Sequence, residues 1–302
     1  MLTQKKIDWI IRWKKNGKQT KEIAIAQKIS RRRVQQLYKE YKRTGKIPML
    51  KKNRRPKKRL TEEEKQIIGK AYNEVFLGAR LLRYHIKRYY RINIPHNRIH
   101  EYLLERGYAK ENERKKRQRK RCRYERKHSL SLVHADWLEW MGKQVIAYED
   151  DASRKVLSIG EFNSASTRNS IDVLNKAISE VKSYCGSINE LNTDRGTQFF
   201  PNKKNKKGKA ESKYLRYLEY VGIKHIPSRR SNPQTNGKVE RWVQEYKRHR
   251  HRFNSAEEFM SWYNNRLHGS LDLENAETPN EAFMRKMRSE CLLGMFYRNV
   301  VR

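Results

Sequence analysis

Three separated carboxylates each sit in a distinctive phrase: Asp136 in His134-Ala135-Asp136-Trp137, Asp194 in Asn192-Thr193-Asp194-Arg195-Gly196, and Glu240 in Asn236-Gly237-Lys238-Val239-Glu240-Arg241. Carboxylates that converge repel one another, by about 4 kcal/mol for a pair ~4 Å apart at an effective dielectric of roughly 20. Divalent cations remove that penalty. Mg²⁺ favours oxygen ligands, keeps several waters and shares itself with substrate phosphates. Two such ions activate an attacking water or hydroxyl and stabilise the leaving oxygen of an in-line displacement. The chemistry these residues could do is therefore metal-assisted cleavage or transfer at a phosphodiester.

The rest of the chain suits such a substrate. Its 302 residues carry 71 Lys and Arg against 33 Asp and Glu, a formal charge of +38, so a polyanionic partner is the default expectation. Cys122, Cys185 and Cys291 are few, odd in number and far apart, which points away from a disulfide framework or a four-ligand zinc cluster. The first residues hold no apolar signal core, and no stretch approaches a membrane span, so a soluble protein of the cytoplasm is expected.

The elements that must position the carboxylates follow from periodicity. Ile7, Ile10 and Ile11, then Thr20 to Lys28, then a helix capped by Ser30 with Val34, Leu37 and Tyr41 inward, read as a helix-turn-helix domain over 1–45. Arg31, Arg32 and Arg33 would open its second helix, where a recognition helix meets DNA; a solvated helix start is the plainer alternative. A basic linker, 46–60, follows. Between Lys42 and Arg59 there are ten basic residues and no acidic one, and Arg54 and Arg55 are candidate minor-groove contacts beside the simpler reading of a tether. Residues 61–109 open on a capping box, Thr61 and Glu64, and close near Gly107; they read as a second helix-turn-helix or winged-helix-like domain, or else as a packing or dimerisation element. Residues 110–128 form a basic connector, 129–290 the catalytic core and 291–302 a C-terminal tail.

Within the core, Leu130 to Leu138, Gln144 to Tyr148 and Val156 to Phe162 have strand lengths and turn signals between them. A helix from Thr167, with Gly186 past its end, a short strand to Asn192, a helix carrying Leu215 and Leu218, and a strand from Ile223 to Ile226 complete a mixed five-stranded sheet. Further helices begin near Thr235, Ala256 and Pro279. Asp136 then lies on the first strand and Asp194 just past the fourth, so both emerge at one sheet edge if those strands are neighbours. On the helix after Thr235, Asn236, Glu240, Gln244 and Lys247 share one face, while Val239, Trp242, Val243 and Tyr246 share the face toward the sheet.

These phrases, in this order, resemble the catalytic core of the retroviral-integrase-like DDE transposases, and the layout is most similar to prokaryotic insertion-sequence transposases of the IS481 and IS3 type. The resemblance runs from about Val133 to Arg285. It includes Tyr148-Glu149-Asp150-Asp151-Ala152-Ser153-Arg154, Ser231 to Arg241, Trp262 to Leu271 and Thr278 to Phe283. It implies an α/β RNase H-like core with flanking helices, preceded by all-α DNA-binding domains. It further implies Asp136, Asp194 and Glu240 as catalytic residues and ligands of two Mg²⁺ ions, with Mn²⁺ able to substitute. The implied partners are double-stranded DNA, as element ends and target, and further copies of the chain in a dimer or larger synaptic complex. The implied activity is strand cleavage and strand transfer in DNA integration, recombination and transposition. A non-catalytic DNA-binding regulator derived from a transposase and a metal-dependent nuclease of the same fold are the alternatives.

Two departures from the family pattern stand out: Arg195 in place of a more usual Asn, and a longer interval from Asp194 to Glu240, whose excess is expected in Asn202 to Lys213. Lys238, Arg241 and Lys247 are candidate phosphate contacts, and Arg248, Arg250 and Arg252 extend the basic run. His134 and His268 could assist proton transfer or simply pack. Asp150 and Asp151 are rival metal ligands whose turn-like setting favours a structural role.

Overall fold

The computed structural model describes residues 2–50, 59–110, 125–200, 212–228 and 237–300. Arg54 and Arg55, most of the 110–128 connector, nearly all of the 202–213 stretch and residues 231–236 lie outside them. Contacts divide the chain into two compact units, Met1–Arg59 and Leu60–Arg302.

The first unit is three helices, α1 (Gln4–Lys15), α2 (Thr20–Gln27) and α3 (Arg31–Thr44). Ile7, Ile10, Ile11, Ile23, Val34 and Leu37 recur at helical spacing and close one core. The α2 to α3 turn is tight because Lys28 takes a left-handed backbone and Ser30 caps α3 by accepting from Arg33 N. Arg31, Arg32 and Arg33 occupy the first turn of α3 with exposed side chains.

The second unit begins with α4 (Glu62–Val75), α5 (Ala79–Tyr89) and α6 (His96–Glu105). The expected capping box forms: Glu64 N donates to Thr61 Oγ1 at 3.2 Å and Thr61 N to Glu64 Oε2 at 3.0 Å. These helices do not close a core alone, since Leu267 and Ala276 from far along the chain complete it. Trp262 Nε1 donates to Glu74 O at 2.8 Å, and Arg88 pairs with Glu281, tying the same elements together.

A five-stranded sheet follows, built from β1 (Val133–Trp140), β2 (Lys143–Asp150), β3 (Val156–Phe162), β4 (Glu190–Thr193) and β5 (Lys224–Pro227) in the order β3-β2-β1-β4-β5. The β1-β2 and β2-β3 pairs are antiparallel, whereas β1-β4 and β4-β5 are parallel. That order and those directions are those of the RNase H-like fold. Helices α7 (Thr167–Ser183) and α8 (Lys213–Tyr220) bury Val173, Leu174, Tyr214 and Leu218 with Val133, Ala135, Ile146 and Tyr148 on one face. Helices α9 (Gly237–His249) and α10 (Ala256–Asn265) bury Trp242, Tyr246, Phe259 and Tyr263 with Leu138, Val145 and Ala147 on the other. α11 (Pro279–Arg285) adds Phe283 to the first face.

Gly186 lies just past the end of α7, as expected, and the left-handed residue there is Cys185. One detail differs from expectation. Residues placed in a tail form α12 (Ser289–Val300), whose Cys291 packs on the α7 side of the core.

Gly160 is fixed by α7. A Cβ there would lie 2.6 Å from Val173 Cγ2 and 2.7 Å from Phe162 Cε2. Gly160→Ala is therefore expected to cost about 1–3 kcal/mol by overpacking, read as a lower urea midpoint at unchanged slope.

Candidate active site

Strand alternation decides which side chains meet. On β1, Val133 and Ala135 face α7 and α8, so His134, Asp136 and Leu138 face α9 and α10. β4 runs parallel beside β1 with His134 opposite Asn192 and Ala135 opposite Thr193. The next residues in that register are Asp136 and Asp194, which stand side by side where β4 ends. Reading β1 and β4 as neighbours was the condition for this convergence, and the sheet meets it.

Local hydrogen bonds fix both aspartates. Trp137 N donates to Asp136 Oδ1 at 2.9 Å, and Gly196 N to Asp194 Oδ1 at 2.9 Å. Residue 196 is glycine because a Cβ would meet that same Asp194 oxygen at 3.0 Å and the Gln198 side chain at 2.7 Å. Arg195 turns away, its Nε donating to Ser228 O at 3.2 Å and its guanidinium lying over the Phe200 ring. The departure from Asn thus ties the segment after β4 to the end of β5.

Glu240 comes from the other face. Val239, Trp242 and Tyr246 are buried under α9, leaving Glu240, Gln244 and Lys247 exposed along one stripe. Asp136 senses the other two carboxylates. Burial, then the charge of Asp194, and further the charge of Glu240, push the Asp136 carboxyl up to about 7 against the opposing Trp137 hydrogen bond. Among the described residues, no group of three or more His, Cys, Asp or Glu is drawn tightly enough to hold a metal ion by itself. The arrangement is an open set of oxygen donors in mutual repulsion, not a closed chelate.

Asp150 and Asp151 do structural work. Fully buried Asp150 accepts from Leu130 N at 2.7 Å, Ser153 N at 2.8 Å and Ser153 Oγ at 2.6 Å. Asp151 accepts from His134 Nε2 at 2.7 Å, Lys238 Nζ at 2.5 Å and Arg126 N at 2.8 Å. Burial raises its pKa, but the His134 and Lys238 hydrogen bonds outweigh that and hold the carboxyl well below the usual carboxylate range. Lys238, a candidate phosphate contact, is drawn inward to this ion pair. Arg250 is buried against Glu161 at 2.7 Å and Phe253 O at 2.7 Å, which removes it from the surface basic run. Arg241 and Lys247 remain exposed. His134 is held between Asp151 and Asn192, and His268 accepts from Ser270 N, with burial pulling its pKa down to about 3.

Glu149, beside this network, is pushed up to about 8 chiefly by burial, which the Arg154 and Lys238 charges only partly offset. The folded state therefore keeps a proton that the unfolded chain releases near 4.5. The stability this contributes is complete below that value and is lost as pH rises toward about 8. Glu149→Gln cannot ionise and removes the slope. Its melting temperature relative to the unsubstituted chain is expected to be roughly 3–8 °C more favourable at about pH 8 than at about pH 5, measured by calorimetry.

No family model matches the chain. Over 108 residues it is 32% identical to the integrase ORF3 of Spiroplasma virus SpV1-C74, a match that takes in 34% of this chain and 30% of that protein. The chain thus spans under a third of that relative's length. Among solved structures, it is similar to the catalytic core domain of BIV integrase, with 17% identity and a TM-score of 0.39 over 51% of this chain and 93% of that one. It is also similar to the simian T-cell lymphotropic virus intasome in complex with PP2A regulatory subunit B56 gamma, with 17% identity and a TM-score of 0.42 over 72% and 74% of the two chains. Among the described residues, no helix is long and apolar enough to cross a membrane. By sequence, over the matched segment, the chain is similar to an integrase.

Proposed function

We propose that this chain is a DDE transposase of the insertion-sequence type, which binds the ends of a mobile element, hydrolyses a DNA strand and joins the exposed 3′ end to target DNA. The observation that carries this reading is the parallel β1-β4 register, which sets Asp136 beside Asp194 on the face that α9 covers with Glu240. The donor set suits Mg²⁺ in kind: it is all oxygen and carries excess negative charge, and Mg²⁺ shares its shell with water and phosphate. Asp136, Asp194 and Glu240 would hold the metal, which when bound supplies Lewis-acid activation of the attacking oxygen and stabilisation of the leaving one. The protein's own residues aim the strand. Lys247, one and two turns along the exposed stripe from Gln244 and Glu240, is suited to a phosphate next to the scissile bond, and Arg241 to its neighbour. In the first unit, Arg31, Arg32 and Arg33 present guanidinium groups at the start of a helix, as a recognition helix does. Joining needs two ends together, so a dimer or larger assembly on double-stranded DNA is part of the proposal.

The test is a strand-transfer assay with labelled duplex carrying the flanking repeat of the gene, a plasmid target and Mg²⁺. Joined products support the proposal. Cleavage without joining would make the chain a nuclease, and binding with neither would make it a regulator.

A further inference from the structure

The described residues line an open-sided cavity of about 520 Å³ between the end of β2, the start of α9, the segment after α10 and the α4-α5 junction. Two phrases with no part in the carboxylate trio, Tyr148 to Arg154 and Trp262 to Leu271, meet there.

The polar half of the cavity is dominated by guanidinium groups. Arg154 is only 6% exposed, and its backbone is left-handed at φ 66°. Its Nε donates to Ser270 Oγ at 3.3 Å, while its Nη1 is buried without any hydrogen-bond acceptor. Among the described residues, no carboxylate lies within ion-pair distance of it. Arg80 and Arg241, exposed on the cavity's edge, likewise have no ion-pair partner among the described residues. Lys238 and Arg266, on the walls, are already held by Asp151 and Glu245. The Glu149 carboxyl also faces the cavity, with Oε2 buried and lacking a partner. Burial pushes that carboxyl toward its neutral form, against the charges of Arg154 and Lys238, and it makes no ion pair with Arg154.

A guanidinium buried without an anion is strongly unfavourable and persists where a ligand supplies one. The other half of the cavity is apolar, lined by Leu77, Leu81, Leu267 and Leu273. The volume is in the range of small-molecule sites, and an anionic head on arginines with a flat, largely apolar body on leucines describes a nucleotide.

We propose that this cavity binds one nucleotide, its phosphate seated on Arg154 and flanked by Arg80 and Arg241. A free nucleotide and an unpaired nucleotide of a DNA strand offer the same chemistry. The nucleotide identity rests on the DNA-processing reading above, whereas the anion site rests on Arg154 itself.

The test is calorimetric titration of the full chain, without divalent metal and at physiological salt, with dAMP, deoxyadenosine and a 5′-phosphorylated trinucleotide. Saturable binding of dAMP is expected, with deoxyadenosine at least about tenfold weaker. Arg154→Gln and Arg241→Gln are each expected to weaken dAMP at least about tenfold, while Lys224→Gln, which removes a distant exposed charge, leaves it unchanged. Arg241 is exposed, so its variant keeps the test decisive even if Arg154→Gln fails to fold. Absence of saturable binding, equal affinity for dAMP and deoxyadenosine, or dAMP affinity unchanged in Arg241→Gln would overturn the proposal. A trinucleotide that binds tighter than dAMP assigns the site to a strand, and equal affinities assign it to a free nucleotide. Because no metal is present, failure here leaves the strand-transfer result intact, and failure of strand transfer leaves this result intact.

Discussion

Asp194→Asn is expected to slow strand cleavage and joining on the order of 10³-fold or more while leaving the fold and end binding in place. Asn has the shape of Asp, so the hydrogen bond from Gly196 N at 2.9 Å and the β4 strand beside β1 can persist. What disappears is the charge that a metal would share with Asp136. Asp136→Asn and Glu240→Gln are expected to behave alike, because a shared ligand set fails as a unit and the losses do not multiply. Single-turnover rates on labelled end duplex, with gel-shift affinity measured in parallel, check this. An Asp194→Asn rate within about tenfold of the unsubstituted chain would remove these residues from the chemistry.

Asp151→Asn is expected to destabilise the second unit by about 3–5 kcal/mol. The side chain has no exposure, and the Lys238 ammonium, the Arg126 amide and the His134 ring converge on it. An amide provides no counter-charge and cannot accept all three bonds. The folded carboxyl is held below its ordinary 3.8, so its contribution is present above that pH and is lost as pH falls through the folded value. The gap between Asp151→Asn and the unsubstituted chain should therefore narrow in acid. Replacing Lys238 by Met in the Asp151→Asn background should recover part of the loss, since the costly element is a buried charge stripped of its partner. Urea titrations of the two single variants and the double variant measure both effects; strict additivity would mean that the two side chains do not act as a pair.

Sequence carried far where local rules decide the outcome. The Thr61-Glu64 box, the Ser30 cap and the three strands between Leu130 and Phe162 are written in neighbouring residues, and each forms as read. The convergence of Asp136 and Asp194 needed one further fact, that β1 and β4 are neighbours, which the element order made available. Contacts between distant segments were less visible. Lys238 reads as a surface cation, yet it lies four residues before buried Trp242 and so over the inner stripe of α9; that spacing was the available signal. Arg154, Arg80 and Arg241 come from three remote segments, and nothing local announces a cavity between them. Arg250 likewise looks solvated beside Arg248 until Glu161 is brought across from β3.

The parallel pairing of β1 with β4 also has a consequence for biosynthesis. Asp136 acquires its neighbour only after β2, β3 and α7 have been made and the chain has crossed back, and α9 with Glu240 comes later still. The Met1–Arg59 unit, by contrast, closes its own core and leaves the ribosome before any strand of the sheet. On the proposed function, a growing chain could grip DNA well before it could break it. A product cut short before α9 would then occupy element ends without cutting them, and so compete with the full-length protein.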